Sequence, residues 1–90
     1  MRLDKYLKLS RLIKRRTLAK SACDAGRVYV NKRTAKAGFD VKEGDLITIK
    51  YGHGEMTIRV INLINNPRKD EATEMYTIES QIRSTNSEDE

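Results

Sequence analysis

Ninety residues, 34% charged and 38% apolar with one Phe and no Trp, suffice for one domain with a single modest core and leave too little material for a deep ligand cavity. The net charge of +5 hides a strong polarity: residues 1–36 hold 12 of the 18 Lys and Arg against only Asp4 and Asp24, a net +10, whereas the remaining residues sum to −5. Such an end presents a positive potential suited to polyphosphate. Cys23 is the single cysteine, which excludes an intrachain disulfide and a cysteine metal site and makes a reducing cytoplasm the expected compartment. No apolar run has the length of a signal peptide core or a membrane span.

In chain order, residues 3–14 read as a helix, because Leu3, Tyr6, Leu7, Ser10 and Ile13 gather on one stripe at 100° per residue. Leu9 and Leu12 fall off that stripe, at its flank or exposed to a partner. Lys14-Arg15-Arg16 breaks the pattern, and three adjacent cations repel unless solvent or an anion separates them. A second helix starts near Arg16–Thr17 and covers Leu18, Ala19, Ala22 and Cys23, with Thr17 as a possible cap and Gly26 placed to end it. The short connection predicts a tight helix-turn-helix pair.

From Arg27 the period changes to two. Val28 and Val30 mark a strand, and Asn31-Lys32 is a turn candidate in which Lys is a weaker second residue than Gly. Phe39 and Val41 are expected in the core, and Glu43-Gly44-Asp45 as a turn. Leu46–Tyr51, with Ile47, Ile49 and Tyr51 on one face, turns back through Gly52-His53-Gly54 and returns over Met56–Ile61. Asn65-Asn66-Pro67 is expected to stop the sheet. Asp70–Tyr76 fits either one short helix, which the spacing of Ala72, Met75 and Tyr76 slightly favours, or an irregular segment ending in a strand through Thr77 and Ile78. Residues 80–90 lack apolar periodicity and are expected as a disordered acidic tail, leaving one domain over residues 1–79.

Catalytic material is sparse. His53 lies between two glycines in a turn, Cys23 sits on the inner side of the second helix, and the acids show no metal-ligand spacing. No cofactor, metal or enzymatic activity is expected. The positive signal is the basic segment, where so local an excess of cations raises the energy of the folded state by self-repulsion. Nucleic acid is favoured over acidic protein or membrane surfaces, because an amphipathic membrane helix needs a free apolar face that this core requires. Arginine forks across phosphate oxygens better than lysine, which favours Arg2, Arg11, Arg15, Arg16 and Arg33. The second helix, LAKSACDAG, has little equipment for reading base edges in a DNA groove, whereas the cations cluster where a folded RNA backbone could be tracked.

These residues match a known pattern. Arg2-Leu3-Asp4-Lys5, Arg16 with Ala19, and Gly26-Arg27-Val28-Tyr29-Val30-Asn31 resemble the RNA-binding domain named after small-subunit ribosomal protein four, the S-four domain, from Met1 to about Tyr51. The resemblance implies an α+β fold with two N-terminal helices packed on a small, mainly antiparallel sheet. Two departures are visible: Arg15 replaces a frequent Ser and Lys32 a frequent Gly. With SRLIKRRTLAK and the later EMYTI, nearly the whole chain is similar to the RqcP family of ribosome-associated quality control factors and to the fifteen-kilodalton heat-shock RNA-binding proteins. That likeness implies a cytoplasmic monomer with large-subunit rRNA, peptidyl-tRNA and the tailing factor RqcH as partners and no membrane. Arg2 and Arg16 lead the implied RNA contacts, Arg11 and Arg15 follow, and Lys5, Lys8, Lys14, Lys20, Asn31, Lys32, Arg33 and Lys36 complete them. Asp4 is expected to orient Arg2, Lys5 or a backbone amide.

Overall fold

The computed structural model describes residues 1–83. Two helices, α1 (Leu3–Leu9) and α2 (Arg16–Asp24), precede strands β1 (Val28–Val30), β2 (Arg33–Thr34), β3 (Leu46–Tyr51), β4 (Gly54–Val60) and β5 (Tyr76–Arg83), with one 3₁₀ turn at Ala72–Glu74. The strands form a single antiparallel sheet in the order β2-β1-β3-β4-β5.

Alternation decides what the sheet buries. Val28 and Val30, Ile47 and Ile49, and Met56, Ile58 and Val60 point inward, where Leu3, Tyr6 and Leu7 of α1 and Ala19 and Cys23 of α2 complete the core. Outward, Thr48 pairs with Thr57 at 2.8 Å, and Lys50 lies 4.8 Å from the Tyr29 ring centre. The Tyr6 hydroxyl donates to the Met75 carbonyl at 2.7 Å, tying α1 to the segment before β5.

The start of α1 is held by residues 37–41. The Leu3 N–H donates to the Phe39 carbonyl, the Asp4 N–H to that of Ala37, and the Val41 N–H to that of Met1. Phe39 therefore does not join the core as expected: its backbone serves the helix, and its side chain is exposed. Val41 is buried as expected.

Helix α1 is shorter than the 3–14 span that its periodicity suggests. Arg11 adopts a left-handed conformation at φ 63°, its N–H donates to the Lys8 carbonyl, and the Ile13 N–H reaches back to Leu7. Leu12 and Ile13 thus fold against the core from a turn. Helix α2 begins as expected, but Arg15 is its N-cap residue and no side chain, Thr17 included, caps it. Gly26 ends it at φ 73°, with the Gly26 N–H on Cys23 and the Arg27 N–H on Ala22.

At the other end, the loop around Asn65-Asn66-Pro67 interrupts the sheet without ending it, since β5 returns beside β4. Between the two possibilities for 70–76, the chain forms a single 3₁₀ turn and then a strand, not a full helix. That strand runs through Arg83, so residues 80–83 are not part of a tail. Their outer position leaves Ser80, Gln81 and Ile82 exposed, and no apolar alternation marks them. The tail expected for the remainder lies outside the described residues.

The β1–β2 hairpin turns through Asn31 and Lys32, both left-handed at φ 52° and 73°. The Asn31 Oδ1 accepts from the Leu46 N–H at 3.0 Å, and its Nδ2 donates to Asp45 at 3.1 Å. Lys32 has no such compensation. A left-handed non-glycine residue costs about 1–2 kcal/mol, and glycine restores roughly 0.5–1 kcal/mol of unfolded-state entropy. Lys32→Gly is therefore expected to raise stability by about 0.5–1 kcal/mol in urea unfolding; an unchanged or lowered midpoint contradicts the strain at this turn.

Candidate nucleic-acid interface

The N-terminal segment converges on a buried carboxylate. Asp4, in the first turn of α1, is 3% exposed, and Arg2 donates to it from Nε at 3.2 Å and Nη2 at 3.3 Å. Arg2 spans both oxygens, Nε on Oδ1 and Nη2 on Oδ2; Arg16, at the start of α2, brings its Nε within 3.4 Å of Oδ2, and the Lys5 N–H donates to Oδ1 at 2.8 Å. One acid thus ties together two arginines that lie 14 positions apart in the sequence. The local sequence makes this possible: residues 37–41 fix the first turn, and the turn after α1 returns Arg16 to its side.

Burial by itself raises the Asp4 pKa. The guanidiniums of Arg2 and Arg16 and the Lys5 amide outweigh that effect, and the net shift is downward. The carboxylate is ionised at neutral pH, and two cations against one anion leave the fork net positive. The arginines keep 53% and 50% of their side-chain surface exposed, enough to present donors not spent on Asp4 to an outside anion. The Arg2 guanidinium also passes over Gly38, within 4 Å of where a Cβ would stand.

The other expected contacts are distributed unevenly. Arg15 stands exposed immediately before Arg16, and Lys20 is exposed further along α2. Lys5 is half-buried beside the fork. Lys8, Arg11 and Lys14 gather at the far end of α1. Lys32 and Arg33 are exposed on the β1–β2 hairpin, at the β2 edge of the sheet. Lys36 follows β2 and lines a recess near the end of α2. The Asn31 side chain spends one bond from each polar atom inside the protein, on Asp45 and on the Leu46 N–H, and so shapes the hairpin.

Cys23 is buried, and burial pushes its thiol up to about 11, which keeps it protonated. His53 is exposed in the two-residue β3–β4 turn and takes part in none of the ion pairs among the described residues. The structure brings together Arg2, Asp4 and Arg16, which the sequence singles out, and sets Gly38 beneath Arg2, which only its place before Phe39 signals.

The Asp4 shift has a consequence for stability. Because the folded value lies below the ordinary 3.8, the contribution is fully present above that value and is lost as pH falls through the folded one. Asp4→Asn is expected to cost about 1–2 kcal/mol at neutral pH, since both arginines are half-exposed and solvent screens them. The same variant should lose less stability on acidification than the parent. Urea unfolding at neutral and acid pH tests both; equal acid sensitivity of the two proteins would show that Asp4 carries no such linkage.

Residues 1–47 match the family described as S4 domain. A Bacillus subtilis protein named RQC P-site tRNA stabilizing factor is 54% identical over 78 residues, 87% of this chain and 91% of its own length. A protein of the same name from Listeria innocua is 52% identical over 87 residues, covering 97% and 95%. Among solved structures, Vibrio cholerae Heat Shock Protein 15, described as trimeric, superposes with a TM-score of 0.81 at 35% identity, covering 87% of this chain and 80% of that one. With a family match over more than half its length and relatives above 50% identity along nearly all of it, this chain belongs to the S4 domain family and, within it, to the group of proteins named RQC P-site tRNA stabilizing factor.

Proposed function

We propose that this protein is an RNA-binding factor of ribosome-associated quality control that binds large ribosomal subunits obstructed by peptidyl-tRNA. It holds that tRNA in the P site and so supports template-free tailing of the stalled chain by RqcH. The observation that carries this reading is the Asp4-centred arginine fork, outward-facing and net positive, in a chain whose relatives are named for stabilising P-site tRNA.

The mechanism is positional. Arg2 and Arg16 are pre-oriented by one buried carboxylate, so less side-chain freedom is lost when phosphate arrives. Touching rRNA and tRNA together makes the second contact intramolecular, and modest contacts to each then give tight joint binding. The protein acts in the cytoplasm as a monomer, uses no cofactor, and makes or breaks no covalent bond. No helix among the described residues is long and apolar enough to cross a membrane.

A second reading is a heat-shock-type factor that relocates stalled tRNA on the large subunit without a tailing partner. The close superposition on Vibrio cholerae Heat Shock Protein 15 favours it. Recovery of RqcH with subunit-bound protein separates the two, since only the first reading requires it.

Arg2→Ala and Arg16→Ala are each expected to leave the far-ultraviolet circular dichroism unchanged and to weaken large-subunit co-sedimentation about tenfold, the worth of one charge-assisted contact. Binding should also fall steeply with salt. A folded double variant that co-sediments like the parent would remove these assignments.

A further inference from the structure

The two helices end in the same way with different residues. After α2 the left-handed position is Gly26, the residue that pays no steric penalty there. After α1 the equivalent position is Arg11, at φ 63°, where a Cβ is disfavoured. Backbone strain of this kind persists where the surroundings enforce it, and it clusters at functional sites. The side chain held at that position supplies the reason.

Arg11, Lys8 and Lys14 line a small notch of about 140 Å³, closed by Leu9 and by Pro67 from the loop between β4 and β5. No carboxylate lines it. Among the described residues, no ion pair involves Lys8, Arg11 or Lys14. Three cations directed at one recess repel one another unless an anion joins them. The notch lies towards the C-terminal end of α1 and the fork at its N-terminal end; from Asp4 to Leu9 the axis advances about 7 Å at 1.5 Å per residue. The two share no residue. Pro67, moreover, comes from beyond the matched residues 1–47, so part of this notch is built outside the shared domain.

We propose that this notch is a second, separate phosphate-binding site for an RNA backbone, with Arg11 held in its left-handed conformation to complete it. This rests on the RNA-binding reading above. The fork grips one backbone segment, and the notch takes a phosphodiester further along the same strand or on a neighbouring one. Neither contact reads a base, so the notch adds affinity and sets orientation.

The test compares the parent with Arg11→Gly and Lys14→Gln by thermal unfolding and by binding to two probes, purified large ribosomal subunits and a generic RNA hairpin, across a potassium chloride series. Arg11→Gly is expected to melt at the same or a higher temperature, to bind about fivefold to tenfold more weakly, and to lose about one from the slope of log affinity against log salt. Lys14→Gln should show the same slope loss without the gain in stability. Parent-like affinity and slope in both variants on both probes overturns the notch, as does a lower melting temperature for Arg11→Gly, which removes the strain argument. If the parent binds the hairpin but not the subunits, and the variants still lose slope, the notch stands and the ribosomal reading falls. Binding of neither probe by the parent overturns both.

Discussion

A carboxylate that is almost wholly buried beside two half-exposed guanidiniums is the constraint around which this small protein is arranged. Asp4 cannot be desolvated without partners. Arg2, two residues before it, and Arg16, on the next helix, supply them. The short α1, the tight turn that follows it and the placement of α2 all serve to bring Arg16 back to the first turn. The cost of burying the acid is offset by cations that still face solvent, so one arrangement both joins the helices and presents a fixed positive fork.

The sheet makes the fork possible by holding the other side of α1. Residues 37–41 run against the chain start and give their carbonyls to the first N–H groups of the helix. Tyr6 anchors the same helix to Met75, just before the outer strand. Charge is therefore displayed at one end of a scaffold whose apolar inner face carries the packing. The opposite sheet face is closed by its own polar pairs, Thr48 with Thr57, Tyr29 with Lys50, and Arg59 with Glu79. It has less charge left to offer a polyanion than the helical end.

Where a single local rule governs, the chain could be read directly. Gly26 ends α2 because only backbone conformation matters there, and strands β3 and β4 follow from strict alternation of Ile and Val with polar residues. Asp4, expected through the S-four resemblance to orient its neighbours, accepts from Arg2 and from the Lys5 N–H. The failures share one cause: tertiary context overrode a local pattern. The apolar stripe of α1 runs on to Ile13, but the left-handed turn at Arg11 redirects those residues into a different packing. Phe39 is hydrophobic yet exposed, since its backbone is recruited by the helix start. Strand β5 extends to Arg83 without apolar alternation because an outer strand beyond the helices has little to bury.

On the proposed function, Asp4 promotes RNA binding by holding Arg2 and Arg16, although it is itself an anion on the face proposed to meet phosphate. Simple electrostatics gives the opposite sign, since removing a negative charge there should strengthen attraction to RNA. The most direct measurement is therefore the affinity for large ribosomal subunits of Asp4→Asn, taken in the parent and again in a protein lacking both arginines. The expected result is weaker binding in the parent background and almost no effect once the arginines are gone. Tighter binding on removing the carboxylate, or an equal loss in both backgrounds, would contradict it.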